Sequence, residues 1–400
     1  MRWPSIKLAD CATFISGGTP NKARPEYWGG DIPWVSSGEM STQFIKDTAL
    51  HITDAGLSAG SKLVPFGTTF AVVRGMSLAA EFRVSYATRP MAFNQDLKAL
   101  ASREGIDPYY LFSSLRAHAP AIRDLATEAA HGTKKLEMER LLAFRIAVPE
   151  LEIQVRVAAF IRAYDDLIEA NQRRIALLEE VVRVLYREWF VNLRFPGRAT
   201  QCGAGSLPSG WVLGTVGSMA SFVSRGITPK YDDAAPGLVI NQKCIRGGRL
   251  TLTAARRQSR EVNIERQLAR GDVLVNSTGA GTLGRVAQVR AALPNCTVDT
   301  HVTIVRPDDP MCASYLGTAL LEHEFILSTM GVGSTNQLEL GRSDIKNISL
   351  TIPTIKIRRE FHDLVWPIFV QSETLAKSNE ILIEARNALL PKVMSGEVAV

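Results

Sequence analysis

Cysteine is scarce in this chain, and its positions fit neither a metal site nor a disulfide framework. The 400 residues include five cysteines, Cys11, Cys202, Cys244, Cys296 and Cys312. No two of them form a C-x-x-C pair, and no histidine stands at a metal-ligand spacing from them. An odd number of scattered cysteines is typical of reduced thiols, so we expect a cytoplasmic protein without a metal site.

Long hydrophobic runs and a strong net charge are missing as well. No apolar run approaches the ~18–20 residues that cross a membrane. The start, Met1-Arg2-Trp3-Pro4, has no apolar signal core, so we expect no membrane association. Lys and Arg number 46 against 40 Asp and Glu, a net charge of +6 and a pI of about 9.1. This mild excess permits nucleic acid as a partner without requiring it.

Motifs for catalysis are absent or stand in the wrong context. No G-x-x-x-x-G-K-[ST] phosphate loop occurs. Gly279–Gly284 fits G-x-G-x-x-G, but a dinucleotide site needs a helix next, and residues 285–289 are predicted to form a strand. We therefore interpret the glycine-rich segment as the loop of a hairpin. Asp107-Pro108-Tyr109-Tyr110 resembles the Asp-Pro-Pro-Tyr motif of adenine methyltransferases, but it lacks the second proline and begins a helix. We predict no catalytic residue and no metal ligand.

A heptad pattern between Val157 and Trp189 predicts a long helix with a narrow apolar seam. The intervening Arg162, Asp165 and Glu169 suit a solvated face. Asn171 either fixes the register of the helix pair or faces water where the seam drifts. The predicted seam consists of Val157, Ile161, Tyr164, Ile168, Asn171, Ile175, Leu178, Val182, Leu185 and Trp189.

The second half of the chain repeats the order of the first. Pro149 and Pro353 end corresponding strands 204 residues apart, and each precedes a long helical pattern. The second helix is therefore the expected antiparallel partner of the first. Pro367 removes a hydrogen bond, so we expect a kink or irregularity there. The predicted seam of the second helix consists of Phe361, Leu364, Val365, Ile368, Leu375, Leu382, Leu389 and Leu390.

The predicted fold class is α+β, with two globular domains separated by paired long helices and an internal pseudo-twofold repeat. Core helices of a single large domain are the alternative. We place domain one at 1–150, the first long helix at 151–197, a linker at 198–210, domain two at 211–354 and the second long helix at 355–400.

Three motifs in this order resemble the specificity (S) subunits of type I restriction–modification systems. They are Ser16-Gly17-Gly18-Thr19-Pro20 with Glu26–Val35, Leu185–Phe190 with Phe195-Pro196-Gly197, and Leu389-Leu390-Pro391-Lys392 with Met394–Glu397. The resemblance implies two target-recognition domains that each read one half of a bipartite site on double-stranded DNA. It implies that the paired helices set the half-site spacing and bind two methyltransferase (M) subunits. Restriction (R) subunits would then join the assembly.

The same resemblance implies that this subunit carries no chemistry of its own. S-adenosylmethionine would belong to the M subunits, and ATP and Mg to the R subunits. The second repeat lacks the paired glycine of the first, because Ser224-Arg225-Gly226 stands in its place. We therefore expect two different half-sites and an asymmetric target.

DNA binding needs cations for phosphates and donors or acceptors for base edges. Turn-rich polar segments supply both, although a surface Lys or Arg equally suits solvation alone. Asn94, Gln95 and His301 equally suit the satisfaction of buried backbone groups. The candidates are Gly17, Gly18, Thr19, Lys22, Arg24, Arg74, Asn94, Gln95, Lys134 and Lys135 in domain one, and Arg225, Thr228, Lys230, Arg246, Arg249, Arg256, Arg257, Asn276 and Asn336 in domain two.

Three classes of function remain open from the sequence. The chain is either a recognition subunit, in a restricting or a methylation-only complex, or a self-contained DNA modification enzyme. A coiled-coil adaptor unrelated to DNA is a third class.

Overall fold

The chain forms two units that each combine short strands with helices. The computed structural model describes residues 3–128, 133–197, 207–333 and 338–400. Contacts group Met1–Ala170 with Asn379–Val400 as unit 1, and Asn171–Ser378 as unit 2. Each unit therefore contains one globular body and a segment of both long helices. The predicted α+β fold class is confirmed.

Unit 1 is built on a five-stranded sheet in the order β2-β10-β6-β8-β4. Phe70, Val72, Phe93 and Leu97 form part of a fully buried core on this sheet. The strands are β1 Ser5–Lys7, β2 Ala12–Ser16, β3 Trp28–Val35, β4 Phe44–Ile45, β5 His51–Ile52, β6 Thr69–Val72, β7 Arg74–Gly75, β8 Val84–Ala87, β9 Ala92–Phe93, β10 Leu97–Ser102, β11 Thr127–Glu128, β12 Lys134–Lys135 and β13 Arg145–Ala147.

Two helices of unit 1 begin at side-chain N-caps. Asp107 accepts a hydrogen bond from the Tyr110 N–H at 2.8 Å, and Pro108 occupies the first turn. Thr53 accepts the Gly56 N–H at 3.1 Å. The helices of this half are α1 Leu8–Cys11, α2 Asp54–Gly60, α3 Pro108–Ala117, α4 Ala119–Arg123, α5 Met138–Ala143 and α6 Leu151–Tyr186.

Unit 2 has a four-stranded sheet in the order β15-β23-β20-β21 and a three-stranded sheet in the order β19-β16-β22. Its strands are β14 Val212–Thr215, β15 Ala220–Arg225, β16 Gly237–Ile240, β17 Ile245–Arg246, β18 Arg249–Leu250, β19 Arg256–Gln258, β20 Val273–Asn276, β21 Val286–Gln288, β22 Cys296–Val298, β23 Val302–Pro307 and β24 Ser349–Ile352. Its helices are α7 Ala313–Glu322, α8 Glu324–Thr329, α9 Arg342–Lys346 and α10 Ile355–Met394.

The predicted repeat of element order is present in the two units. The central strands β2, β10, β6 and β8 correspond in order to β15, β23, β20 and β21. One tyrosine contact recurs as well. The Tyr110 hydroxyl donates to the Ala147 carbonyl at 2.8 Å, and the Tyr315 hydroxyl donates to the Thr351 carbonyl at 2.5 Å. Both contacts tie a helix to the strand that precedes a long helix.

The seam predicted for the first long helix is buried. In unit 1, Val157 and Ile161 pack with Leu390 and Val393. In unit 2, Val182 and Trp189 pack with residues of α10 that include Phe361. Ile168, Asn171 and Ile175 are buried as well, whereas Tyr164, Leu178 and Leu185 are partly buried.

The seam predicted for the second long helix is wrong in part. Leu364 is 46% exposed, because the next position, Val365, takes the buried place one turn after Phe361. Leucine or isoleucine at 368, 375, 382 and 389 flanks the seam and is partly buried. Buried positions recur every seven residues at Val365, Ser372, Asn379, Arg386 and Val393.

Two further features concern the backbone of these helices. The helix α10 continues through the exposed Pro367, and the kink expected there stays a prediction. After α6, Arg187–Val191 forms a π-helical turn that buries Trp189 and Phe190. No helix in the described ranges is long and apolar enough to cross a membrane.

Candidate nucleic-acid interface

One edge of the central sheet of unit 1 gathers three predicted DNA-binding residues. The strand β2 ends at Ser16, β10 begins at Leu97 and β6 ends at Val72, and the pairings Lys98↔Ser16 and Leu97↔Val72 bring these ends together. Thr19, Gln95 and Arg74 follow or precede them in the sequence. The Thr19 hydroxyl donates to Gln95 Oε1 at 2.6 Å. We call Thr19, Arg74 and Gln95 the unit 1 edge.

Lys134 and Lys135 join Arg74 through a three-stranded sheet in the order β11-β12-β7. Lys135 pairs with Arg74 along the backbone. Each lysine has an acidic partner, Glu128 at 3.4 Å and Glu137 at 3.3 Å. Within the described ranges, the exposed Arg74 forms no ion pair or side-chain hydrogen bond, so its guanidinium is available to a ligand.

Other candidates of unit 1 have structural roles. A Cβ on Gly17 would lie 2.3 Å from the Phe93 carbonyl oxygen, and one on Gly18 would lie 1.9 Å from that of Gly60. The Gly18 N–H already donates to Phe93 at 2.9 Å. Asn94 is only 6% exposed and accepts the Asp96 N–H at 3.2 Å. All three residues shape the turn, and the Gly18 N–H and the Asn94 amide already have partners within the protein.

Lys22 and Arg24 lie in the exposed segment that follows Thr19. The Arg24 guanidinium forms an exposed ion pair with Glu26 at 3.3 Å and lies 6.0 Å from the centre of the Tyr27 ring. An exposed pair of this kind contributes ~0–1 kcal/mol, so phosphate can replace Glu26 at little cost.

The corresponding edge of unit 2 carries different side chains. Arg225 ends β15, Thr278 follows β20 and His301 precedes β23, and Arg225 and Val275 both pair with Thr303. The Thr278 hydroxyl lies 2.6 Å from His301 Nδ1. Arg225 forms an ion pair with Glu339 at 2.5 Å. We call Arg225, Thr278 and His301 the unit 2 edge.

A buried carboxylate supports this second edge. Asp299 is 4% exposed and accepts a hydrogen bond from the His301 backbone N–H at 2.9 Å. Burial raises the pKa of the Asp299 carboxyl, because a low-dielectric environment disfavours the charged form. Asp299 therefore fixes the loop that presents the exposed His301.

The strand β19 places Arg256 and Arg257 beside the loop that carries Thr228 and Lys230. Thr228, Lys230, Arg256 and Arg257 are all exposed. The Ser259 N–H donates to the Lys230 carbonyl at 2.8 Å, so the loop and the strand are in direct contact.

Two arginines of the β17–β18 hairpin differ in their contacts. Arg246 is exposed. Arg249 lies 3.6 Å from Glu179 of α6 and 4.0 Å from Glu373 of α10. It therefore binds both long helices within unit 2, and the structure gives it a role other than the predicted contact with DNA.

Asn276 is fully buried, contrary to the expectation of a polar loop residue. Its Nδ2 donates to the carbonyls of Gln242 at 3.0 Å and Thr282 at 3.1 Å. It thereby stabilises the glycine-rich loop between β20 and β21, which is the hairpin that the sequence predicts. Asn336 lies outside the described residues.

These surfaces can bind an anion and read base edges, since they combine guanidinium, ammonium, amide, hydroxyl and imidazole groups. Among the described residues, no three His, Cys, Asp or Glu side chains are grouped to hold a metal ion.

Comparison with known proteins finds a matching family model and several similar chains. A family model described as the type I restriction modification DNA specificity domain matches residues 2–180. The MjaIX specificity subunit of a type I restriction enzyme from Methanocaldococcus jannaschii is 24% identical, over 100% of this chain and 94% of that protein. Residues 2–180 of this chain therefore match a type I restriction–modification specificity domain, and the chain is similar over its whole length to a specificity subunit.

Two further known proteins are similar to this chain, one in sequence and one in fold. The EcoR124I/EcoR124II specificity subunit of Escherichia coli is 28% identical over 40% of each chain. The crystal structure of an S subunit from M. genitalium matches the fold with a TM-score of 0.59 at 14% identity, over 98% of this chain and 96% of that one. The resemblance predicted from the motifs is confirmed.

Unit 1 contains a buried cluster that sequence reasoning missed. Asp165 of α6 was predicted to face water, but its side chain is fully buried. It accepts hydrogen bonds from Arg116 at 2.7 Å, Tyr109 at 2.7 Å and Arg386 at 2.5 Å. The missed signal is Arg386, a charge at a buried heptad position of α10. We call these four residues the Asp165 cluster.

Unit 2 has a charged cluster that likewise contacts both long helices. Arg290 is 6% exposed and lies 3.3 Å from Glu179 and 3.8 Å from Glu373. Its guanidinium also lies 4.0 Å from the centre of the Phe369 ring. Each cluster thus joins a globular body to both long helices within its own unit.

Proposed function

We propose that the chain recognises a bipartite, asymmetric site on double-stranded DNA, and that each unit reads one half. The observation that carries the proposal is the pair of corresponding sheet edges with different side chains. Unit 1 presents Thr19, Gln95 and Arg74, whereas unit 2 presents Arg225, Thr278 and His301. Different donors and acceptors on a common framework suit different base sequences.

We further propose that the paired helices set the spacing between the half-sites. Both α6 and α10 contribute segments to unit 1 and to unit 2. In unit 1 their segments are antiparallel, because Asp165 contacts Arg386 while Ile168 contacts Asn379. A helix rises ~1.5 Å per residue, so helix length converts directly into distance along DNA.

The surface of α6 supports the proposal that methyltransferase subunits bind the helices. Leu177, Val181 and Val184 recur at helical spacings and are 46–68% exposed. An apolar stripe of this length on a charged helix suits a helix of a partner protein. We propose two M subunits and accompanying R subunits as partners.

We propose that the chain itself is not catalytic. The glycine-rich loop joins two strands instead of a strand and a helix, and Asp107 serves as a helix cap. S-adenosylmethionine then belongs to the M subunits, and ATP and Mg to the R subunits. The cytoplasm is the proposed compartment, because Cys11, Cys244, Cys296 and Cys312 are free and buried.

Labelled S-adenosylmethionine tests whether methyl transfer requires the M subunit. The purified chain, an M subunit from the same host, and the two together are each incubated with duplex DNA. Methyl transfer is expected only with both proteins, and it should weaken as salt rises. Methyl transfer by this chain alone would establish a self-contained enzyme and refute the proposal.

A further inference from the structure

Arg256 is held in a fixed orientation by an aromatic ring at the surface of unit 2. Its guanidinium carbon lies 3.5 Å from the centre of the Tyr231 ring, which is stacking distance. Arg256 is exposed, and Tyr231 is 45% exposed. Within the described ranges, the Arg256 side chain forms no hydrogen bond and no ion pair. The ring therefore covers one face of the guanidinium and leaves its donor edge open.

The backbone makes this arrangement rigid. Tyr231 forms an antiparallel bridge with Gln258, the last residue of β19. The Asp232 N–H donates to the Arg257 carbonyl at 3.2 Å. Gln258 is 3% exposed, and its side chain accepts the Arg260 N–H at 2.7 Å. Both the ring and the strand that carries Arg256 are thus fixed before any ligand binds.

The neighbouring cations differ from Arg256 in the hydrogen-bond donors that they offer to a ligand. Arg257 donates to the Ala235 carbonyl at 3.0 Å, which engages part of its guanidinium. Lys230 is exposed and presents an ammonium group, which neutralises a phosphate without directional readout. These cations suit the DNA backbone, whereas the pre-oriented donor edge of Arg256 suits a base.

We infer that Arg256 reads a guanine in the half-site bound by unit 2, with Tyr231 as its positioning residue. The inference rests on the proposed function and goes beyond it, because it assigns one side chain to one base. Guanine presents O6 and N7 as two adjacent acceptors in the major groove, and the planar guanidinium donates to both. The lysine ammonium group has no planar pair of donors that could bind both acceptors in this way.

Methylation of duplexes that differ at single positions tests the assignment. The whole chain is combined with its M subunit, and every guanine of the unit 2 half-site is replaced in turn. With Arg256→Lys, discrimination at one G·C position should fall by roughly 5- to 150-fold. All other positions should keep their discrimination. Tyr231→Phe, which keeps the ring, should preserve specificity, and Tyr231→Ala should relax the same position.

Arg257→Lys is the matched control, since it alters the adjacent arginine of the same strand. It should leave the recognised sequence intact. A uniform loss of methylation at all positions with Arg256→Lys would make Arg256 a phosphate contact and overturn the inference. Unchanged specificity, or a unit 2 half-site without guanine, would also overturn it. The absence of any bipartite methylation by the native proteins would instead refute the proposed function.

Discussion

Asp165 and Arg386 stand 221 residues apart in the sequence and form an ion pair at 2.5 Å inside unit 1. Asp165 lies on α6 and Arg386 on α10, so the pair joins the two long helices. Arg116 of α3 donates to the same carboxylate at 2.7 Å and links the globular body to both helices. Burial lowers the pKa of the Arg386 guanidinium, and the carboxylate opposes that effect.

Removal of the Asp165 charge should destabilise unit 1 strongly. Asp165→Asn leaves two buried guanidinium groups facing one neutral amide, and we expect a loss of ~3–5 kcal/mol in the free energy of unfolding. Urea denaturation measures the loss. The matched control is Asp166→Asn, because Asp166 is exposed and forms only a 3.6 Å surface pair with Arg162. That variant should lose less than ~1 kcal/mol. Equal losses in the two variants would contradict the role of the cluster.

Stability should depend on pH through His362 of unit 2. His362 is 8% exposed, and its Nδ1 lies 3.0 Å from the Ser314 hydroxyl and 3.4 Å from the Ser314 backbone N–H that donates to it. Burial lowers its pKa below the ordinary value of about 6.5, with Asp363, Arg270 and Asp309 as the nearby charges. The unfolded state then binds the proton more readily than the folded state.

The stabilising contribution of neutral His362 is therefore present above pH ~6.5 and is lost as the pH falls through the folded-state pKa. Thermal melts between pH 5 and pH 8 measure this dependence. His362→Gln should flatten the melting temperature over that window relative to the native chain. An unchanged profile in the variant would show that another group titrates.

Loss of the repeated tyrosine hydrogen bond should destabilise both units to a similar extent. Tyr110→Phe and Tyr315→Phe each leave a carbonyl without its donor, and each should lower the free energy of unfolding by ~1–2 kcal/mol. Tyr27→Phe is the control, because the Tyr27 hydroxyl forms no hydrogen bond among the described residues, and it should be nearly neutral. A control as damaging as the two variants would rule out the hydrogen bond as the cause.

Shortening both helices should shorten the DNA spacer. Deletion of residues 170–176 and 374–380 removes one matched heptad pair while keeping Asp165, Glu179, Glu373 and Arg386. The deletion removes ~10 Å of helix, which corresponds to about three base pairs of DNA. Methylome sequencing should then report unchanged half-sites with a shorter spacer. Arg174→Ala with Lys377→Ala keeps the length and should keep the spacer. An unchanged spacer in the deletion variant would contradict the spacer role.

The regular parts of the fold could be predicted from the sequence. The apolar heptad from Val157 to Trp189, the duplicated strand order and the Asp107 helix start each depend on residues close in the sequence. The middle of the α10 seam could not be predicted, because Ser372, Asn379 and Arg386 occupy its buried positions while leucine and isoleucine flank them. A hydrophobic pattern identifies a buried face only when apolar residues fill that face.

The candidate interface could be predicted in outline only. Turn-rich segments after strands predicted Thr19, Gln95 and Arg74 as DNA contacts, and the sheet register brings these three residues to one edge. Burial of Asn94 and Asn276 could not be foreseen, since an amide suits a solvated loop and a buried backbone partner equally well. The Asp165 cluster depends on residues more than two hundred positions apart, and no local pattern reports such a contact.

Methylome sequencing of the native host, with and without the gene for this chain, tests the central claim most directly. The account predicts one asymmetric bipartite motif, with two different half-sites around a fixed spacer, that disappears when the gene is deleted and returns with a plasmid copy. Persistence of every methylated motif after the deletion, or loss of a contiguous motif without a spacer, would contradict it.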